Sequence, residues 1–167
     1  MRPGSLAWWL GKIRQTRRHV FARVSARERD SLGTWLSPAQ LALFDEMHIA
    51  DRRHGLDVIA VLRAEGMTDP ELLVAGLLHD CAKGNAGLSA RVLVSLEQAH
   101  LGWPARAAAA LPRTRRTLQR LRDHAALSAG LAAAAGCSER TVELIRWQDA
   151  PRDPIVGERL RLADEAS

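Results

Sequence analysis

Along most of this chain of 167 residues, apolar side chains recur at three- and four-residue steps, and strict alternation is absent. Turn signals fall between segments of helical length, so the pattern predicts an all-α protein. Residues 5–30 read as a basic, partly amphipathic helix carrying Trp8, Trp9, Ile13, Val20, Phe21 and Val24. Ser37-Pro38 has the form of an N-cap followed by proline at the first helical position, and opens a helix through Phe44. The spacing next predicts a long helix from Asp45 to Glu65, ended at Gly66, and Asp69-Pro70-Glu71 starts another through Ala82, stopped at Gly84. Further helices are expected over residues 88–99, in one or two short pieces within 104–122, from Asp123 to Ala135, and from Ser138 to Trp147. Pro151 and Pro154 break the chain before a last helix to Asp164. The expected organisation is a helical extension, residues 1–36, packed on one helical domain, residues 37–167.

Against this pattern a few polar residues stand where apolar ones belong. In the 45–65 helix Met47, Ala50, His54, Val58 and Val61 share a face, which turns His54 inward. Leu72–Leu78 is apolar on every side, as a central buried helix would be, and His79-Asp80 close it. His124, Leu127, Leu131 and Ala135 form a stripe, and Asp164 stands beside the inner face defined by Val156, Leu160 and Ala163. A single histidine on an apolar face is more often a hydrogen-bonded core residue than a ligand. The adjacent pair His79-Asp80 differs, because burying an imidazole and a carboxylate together is costly without a partner.

Composition changes this picture little. Apolar residues make up 47% and charged residues 26%, ordinary values for a globular domain. No apolar stretch approaches the roughly 20 residues of a membrane span, and the first ten residues lack the form of a secretory signal. Two cysteines, Cys81 and Cys137, make no disulfide framework, so a reducing, cytoplasmic location is expected. The net charge of +5 comes almost wholly from arginine in an alanine-rich chain without tyrosine, a bias of composition, so nucleic acid is not the partner expected. Lysine occurs only at Lys12 and Lys83, which draws attention to Lys83 beside His79-Asp80.

The order His, His-Asp, Asp on an all-helical chain resembles the HD-domain superfamily of metal-dependent phosphohydrolases. The resemblance is carried by Asp51-Arg52-Arg53-His54-Gly55, by Leu77-Leu78-His79-Asp80-Cys81-Ala82-Lys83-Gly84, by Asp123-His124 and by Leu160-Arg161-Leu162-Ala163-Asp164. It runs from about Met47 to Ser167 and implies an HD-type helical bundle. It also implies one divalent metal ion (Mn, Fe, Co, Ni, Zn or Mg) held by His54, His79, Asp80 and Asp164. Imidazole and carboxylate together suit such ions and can leave positions open for water and a phosphate oxygen. Asp80 would then be a proton acceptor, Lys83 a catalytic contact to phosphate, and His124 and Arg53 substrate contacts, with Arg52 a further cation. The substrate expected is a small phosphorylated molecule, a nucleotide for preference.

The chain departs from the family pattern in one place. Members with two metals carry extra histidines, one at the position of His124 and one or two in the helix that follows, and here that helix ends Leu144-Ile145-Arg146-Trp147-Gln148-Asp149 without one. One metal is therefore expected, with His124 beside substrate or orienting a neighbour. The alternative function is a degenerate domain that binds a nucleotide without turnover. A third reading gives the basic segment Lys12–Arg29 a nucleic-acid or membrane-surface contact. Packing of its Trp and Val face on the core is favoured over that, because Ile13, Val20 and Val24 need burial.

Overall fold

The helix boundaries are set by short capping signals that the chain uses repeatedly. The computed structural model describes residues 22–84 and 111–167, with the isolated positions Leu93, Leu96 and Trp103. These residues hold eight helices and, among them, no strand. The helices are α1 (Ala26–Leu32), α2 (Pro38–Glu46), α3 (Ile49–Ala64), α4 (Pro70–Leu78), α5 (Pro112–Arg122), α6 (His124–Ala134), α7 (Glu139–Arg146) and α8 (Val156–Ala166). None of them is long and apolar enough to cross a membrane.

Reciprocal capping boxes open α1 (Ser25 with Glu28) and α2 (Ser37 with Gln40), satisfying donors that the first turn leaves free. Asp69 caps α4 by accepting from the Glu71 N–H, and Ser138 caps α7 by accepting from the Thr141 N–H. Gly66 and Gly136, at φ 80° and 75°, close α3 and α6 in the left-handed conformation that a Cβ disfavours. In both, the following amide reaches back to the helix: Met67 to Leu62 and Cys137 to Ala132.

The contacts separate the chain into two units, Met1–Ala22 with Asn85–Asp123, and Arg23–Gly84 with His124–Ser167. Within the first, α5 carries the buried Leu118 and Leu121. The second holds the main core, and α4 is its axis. Every residue from Leu72 to Leu78 is buried, and α4 packs against α2, α3, α7 and α8. Leu32, Leu36, Leu43, Phe44, Leu62, Ile145 and Leu160 complete the same cluster.

Four details differ from the sequence reading. The helix expected over 5–30 does not run unbroken, because residues 22–25 are non-helical and Ser25 caps a new start; residues 5–21 lie outside the described residues. The helix expected from Asp45 is two. Met47 is extended, and His48 caps α3 by accepting from the Ala50 N–H through Nδ1. His79-Asp80 lie just beyond α4, in a turn, instead of within its last helical turn.

The fourth difference concerns α6. Leu127 and Leu131 are exposed, and Ser128, Ala129 and Ala132 face the core. The small side chains win the inner face because they let the α6 backbone come close enough to bond with the turn after α4. The helix expected over 88–99 lies almost wholly outside the described residues.

Candidate metal centre

Gly55 lets α3 touch α4. A Cβ at this position would lie 2.5 Å from the Leu77 carbonyl oxygen, a clash of backbone that no rotamer relieves. The next residue back on α3 is His54 and the second residue after Leu77 is His79. Close helix contact therefore brings two imidazoles together, with ring centroids 5.2 Å apart. On the other side α8 packs on both α3 and α4 and delivers Asp164 to the same point.

Four of the expected ligands converge. Oδ1 of Asp164 lies 2.7 Å from Nε2 of His54 and 3.4 Å from Nε2 of His79. Oδ2 of Asp80 lies 3.4 Å from Nε2 of His79 and 3.9 Å from Nε2 of His54. Donors about 2.1 Å from one ion are about 3.0 Å apart along an octahedral edge and about 3.4 Å along a tetrahedral one. The separations span that range. His54, His79 and Asp164 in particular each offer an atom within 4.8 Å of the others.

His79 defines the centre. Its Nδ1 lies 2.9 Å from the Gly76 carbonyl, which can only accept, so Nδ1 carries the proton. In the neutral ring Nε2 is then a lone pair. It is buried, has no hydrogen-bond partner, and faces carboxylate oxygens of Asp80 and Asp164. Oδ1 of Asp80 is likewise buried without a hydrogen-bond partner. A lone pair aimed at two carboxylates is repulsive unless a cation stands between them. Either a proton or a metal ion would satisfy it, and a carbonyl bond on the far nitrogen is the usual way a ligating histidine is oriented.

The charges respond accordingly. Burial opposes protonation of His79, but Asp80 and Asp164 outweigh it and raise its pKa to about 10. Burial also opposes the charge on Asp80, and His79, Lys83 and His54 overcome it, holding the carboxyl well below its ordinary range. Desolvation opposes the charge on Asp164, and the hydrogen bond with His54 and the nearby charge of His79 outweigh it and hold the carboxyl low. Lys83 resists burial through Asp80, Asp164 and Asp51, which raise its pKa.

The remaining expected residues divide. Lys83 donates to Oδ2 of Asp80. His124, at the start of α6, brings Nε2 to 3.5 Å from Oδ1 of Asp80. Arg53 goes elsewhere: its guanidinium is held by Glu28 at 2.6 Å and Asp57 at 3.0 Å.

Three further residues stand at the site in positions that the sequence reading did not assign them. Ser128 accepts from the Ala82 N–H at 3.0 Å, fixing α6, and with it His124, against the turn that carries Asp80. Gln148 donates to the His79 carbonyl at 3.4 Å. Asp51 is buried one turn before His54. The small-residue face Ser128-Ala129-Ala132 was the signal available for the first; Gln148 and Asp51 gave none. Cys81 is a buried thiol pushed up to about 12 by burial, a setting that disfavours the thiolate.

Comparison of the chain with family models, with curated proteins and with solved structures returns no match.

Proposed function

We propose that this chain is an HD-type, metal-dependent phosphohydrolase that acts on a small phosphate ester, a nucleotide for preference, through one divalent ion. The observation that carries the reading is His79: a proton fixed on Nδ1 by Gly76, and a buried, unpartnered Nε2 facing two carboxylates. His54, Asp80 and Asp164 would complete the shell. When bound, a divalent ion lowers the pKa of water and polarises a phosphoryl oxygen.

The chain's own groups supply the rest. Asp80 keeps Oδ1 without a hydrogen bond, so it can take a proton from an attacking water while Oδ2 faces the imidazoles. His124 stands against that oxygen, where it can receive the proton or orient the carboxylate. Lys83, paired with Asp80, supplies a cation beside the cluster for a phosphate oxygen. Its buried neighbours Leu78, Cys81 and Ala82 exclude water from the inner side.

A single ion is favoured over two by the end of α7. Trp147 offers no ligand, and the Gln148 amide is directed at the His79 carbonyl. The same feature supports the second reading, a domain that binds a nucleotide without turning it over. Metal analysis of protein purified without chelator, together with a panel of nucleotides and phosphomonoesters assayed with Mn²⁺ or Co²⁺, tests both. One equivalent of metal, lost in Asp164→Ala, and a hydrolysis lost in Asp80→Ala are expected. Tight nucleotide binding with no turnover would favour the second reading, and wild-type protein without metal would remove the first.

A further inference from the structure

The two oxygens of Asp80 have different surroundings, and Lys83 chooses between them. Oδ2 is the oxygen aimed at the cluster, 3.4 Å from Nε2 of His79 and 3.9 Å from Nε2 of His54. The ammonium of Lys83 bonds to that same oxygen. Oδ1, the oxygen turned toward His124, has no hydrogen bond. Lys83 therefore sits on the atom that a metal ion would need.

We propose that Lys83 is a tethered counterion: it holds Oδ2 of Asp80 while the centre is without metal and leaves that oxygen when a divalent ion arrives. The inference rests on the metal-centre reading given above and adds a competitor to it. A carboxylate only 2% exposed is costly to keep ionised unless a cation accompanies it. Lys83 provides that cation from three residues away in the same turn. Its side chain is 23% exposed, so the long stem can carry the ammonium outward without dismantling the core. A divalent ion on the same oxygen would repel the ammonium at close range, in a poorly screened site, so the two compete for Oδ2.

Two consequences follow from this exchange. Lysine at this position weakens metal affinity in return for a carboxylate kept in place beforehand. Once displaced, the ammonium is free to meet an anionic ligand, so the ion binds first and the phosphate afterwards.

The test is calorimetric titration of the full chain with Mn²⁺ at fixed pH, comparing wild type with Lys83→Met, Lys83→Gln and Lys83→Arg. Removal of the charge should tighten Kd by about tenfold or more in the Met and Gln variants. Arginine, which keeps a charge within reach of Asp80, should stay near the wild type. Unchanged or weaker binding in both neutral variants overturns the proposal and leaves the metal centre standing. Absence of Mn²⁺ binding in the wild type and in every variant removes the metal centre itself, a different failure. A crystal structure of the Mn²⁺-loaded wild type reads the same question without any variant. Lys83 withdrawn from Oδ2 supports the exchange, and Lys83 still bonded to Oδ2 beside the ion sinks it.

Discussion

The two ends of α4 are both rich in charge, and they treat it in opposite ways. At the N-terminal end Asp69 caps the helix, and Arg140 pairs with Asp69 and Glu71, each at 2.7 Å. The Thr141 hydroxyl donates to the Glu71 carbonyl, and Ser138 and Arg140 hold Glu71 below the usual carboxylate range. The groups there are at or near the surface and are matched by the chain itself. At the C-terminal end His79 and Asp80 are each 2% exposed, and Nε2 of one and Oδ1 of the other lack hydrogen bonds. Burial makes the shortfall expensive, because a polar atom without a partner costs about 1–3 kcal/mol. A charged cluster that closes on itself is explained as structure. One that is buried and left open points to something from outside.

The largest expected difference between the two ends is in their response to pH. His79 has its pKa raised from 6.5 to about 10, so in metal-free protein its stabilising contribution is complete below pH 6.5 and is lost as pH rises toward 10. Asp80 and Asp164 are shifted the other way, so their contributions are present above about pH 3.8 and vanish as pH falls below it. A metal ion must displace the His79 proton, and its apparent affinity should tighten by about tenfold per pH unit between pH 6 and 9. Titration calorimetry at four pH values measures this, and a flat profile would count against His79 as a ligand. Glu71, shifted downward, stays ionised throughout that window and adds no slope.

Gly55→Ala comes next. A Cβ 2.5 Å from the Leu77 carbonyl must push α3 from α4, at a cost of about 3 kcal/mol in urea unfolding, and metal affinity should fall with it. Gly130, on the exposed side of α6, has nothing within 4 Å of such a Cβ. Gly130→Ala should stabilise the protein by about 0.5–1 kcal/mol, and equal effects at the two glycines would show that the α3–α4 contact is not tight.

Ser128→Ala has a smaller effect. It strands the buried Ala82 amide and should cost about 1–2 kcal/mol while leaving one metal per chain. Loss of the metal in this variant would mean that α6 supplies part of the shell. The smallest effect belongs to the far end of α4. Arg140→Ala breaks only exposed ion pairs and should leave metal affinity unchanged, and any weakening of it would dissolve the contrast between the two ends.

Much of the fold was legible because helix signals are local. Ser37-Pro38, Asp69-Pro70, Gly66, Gly136 and Ser138 mark boundaries through bonds that span two to five residues, and the chain obeys them. The reading failed at Met47-His48, where a histidine serves as N-cap, a role its type does not advertise. It failed again on α6, where leucine outranks alanine in hydrophobicity but close packing favours the smaller side chain. The pairing of Arg53 with Glu28 was not legible either, because it joins residues 25 positions apart on different helices.

For this protein the sequence alone determined a helical pattern, which the described residues follow, and singled out His54 on an apolar stripe, His79-Asp80 at the end of a buried segment and Asp164 beside an inner face. Tertiary structure alone decided that these residues meet. It set Oδ1 of Asp164 2.7 Å from His54, fixed the His79 proton on Nδ1, and placed Lys83 on the inward oxygen of Asp80. The reason is one of range. Periodicity and caps act within a few residues, whereas the position of Asp164 against His54 depends on how helices 110 residues apart pack around α4.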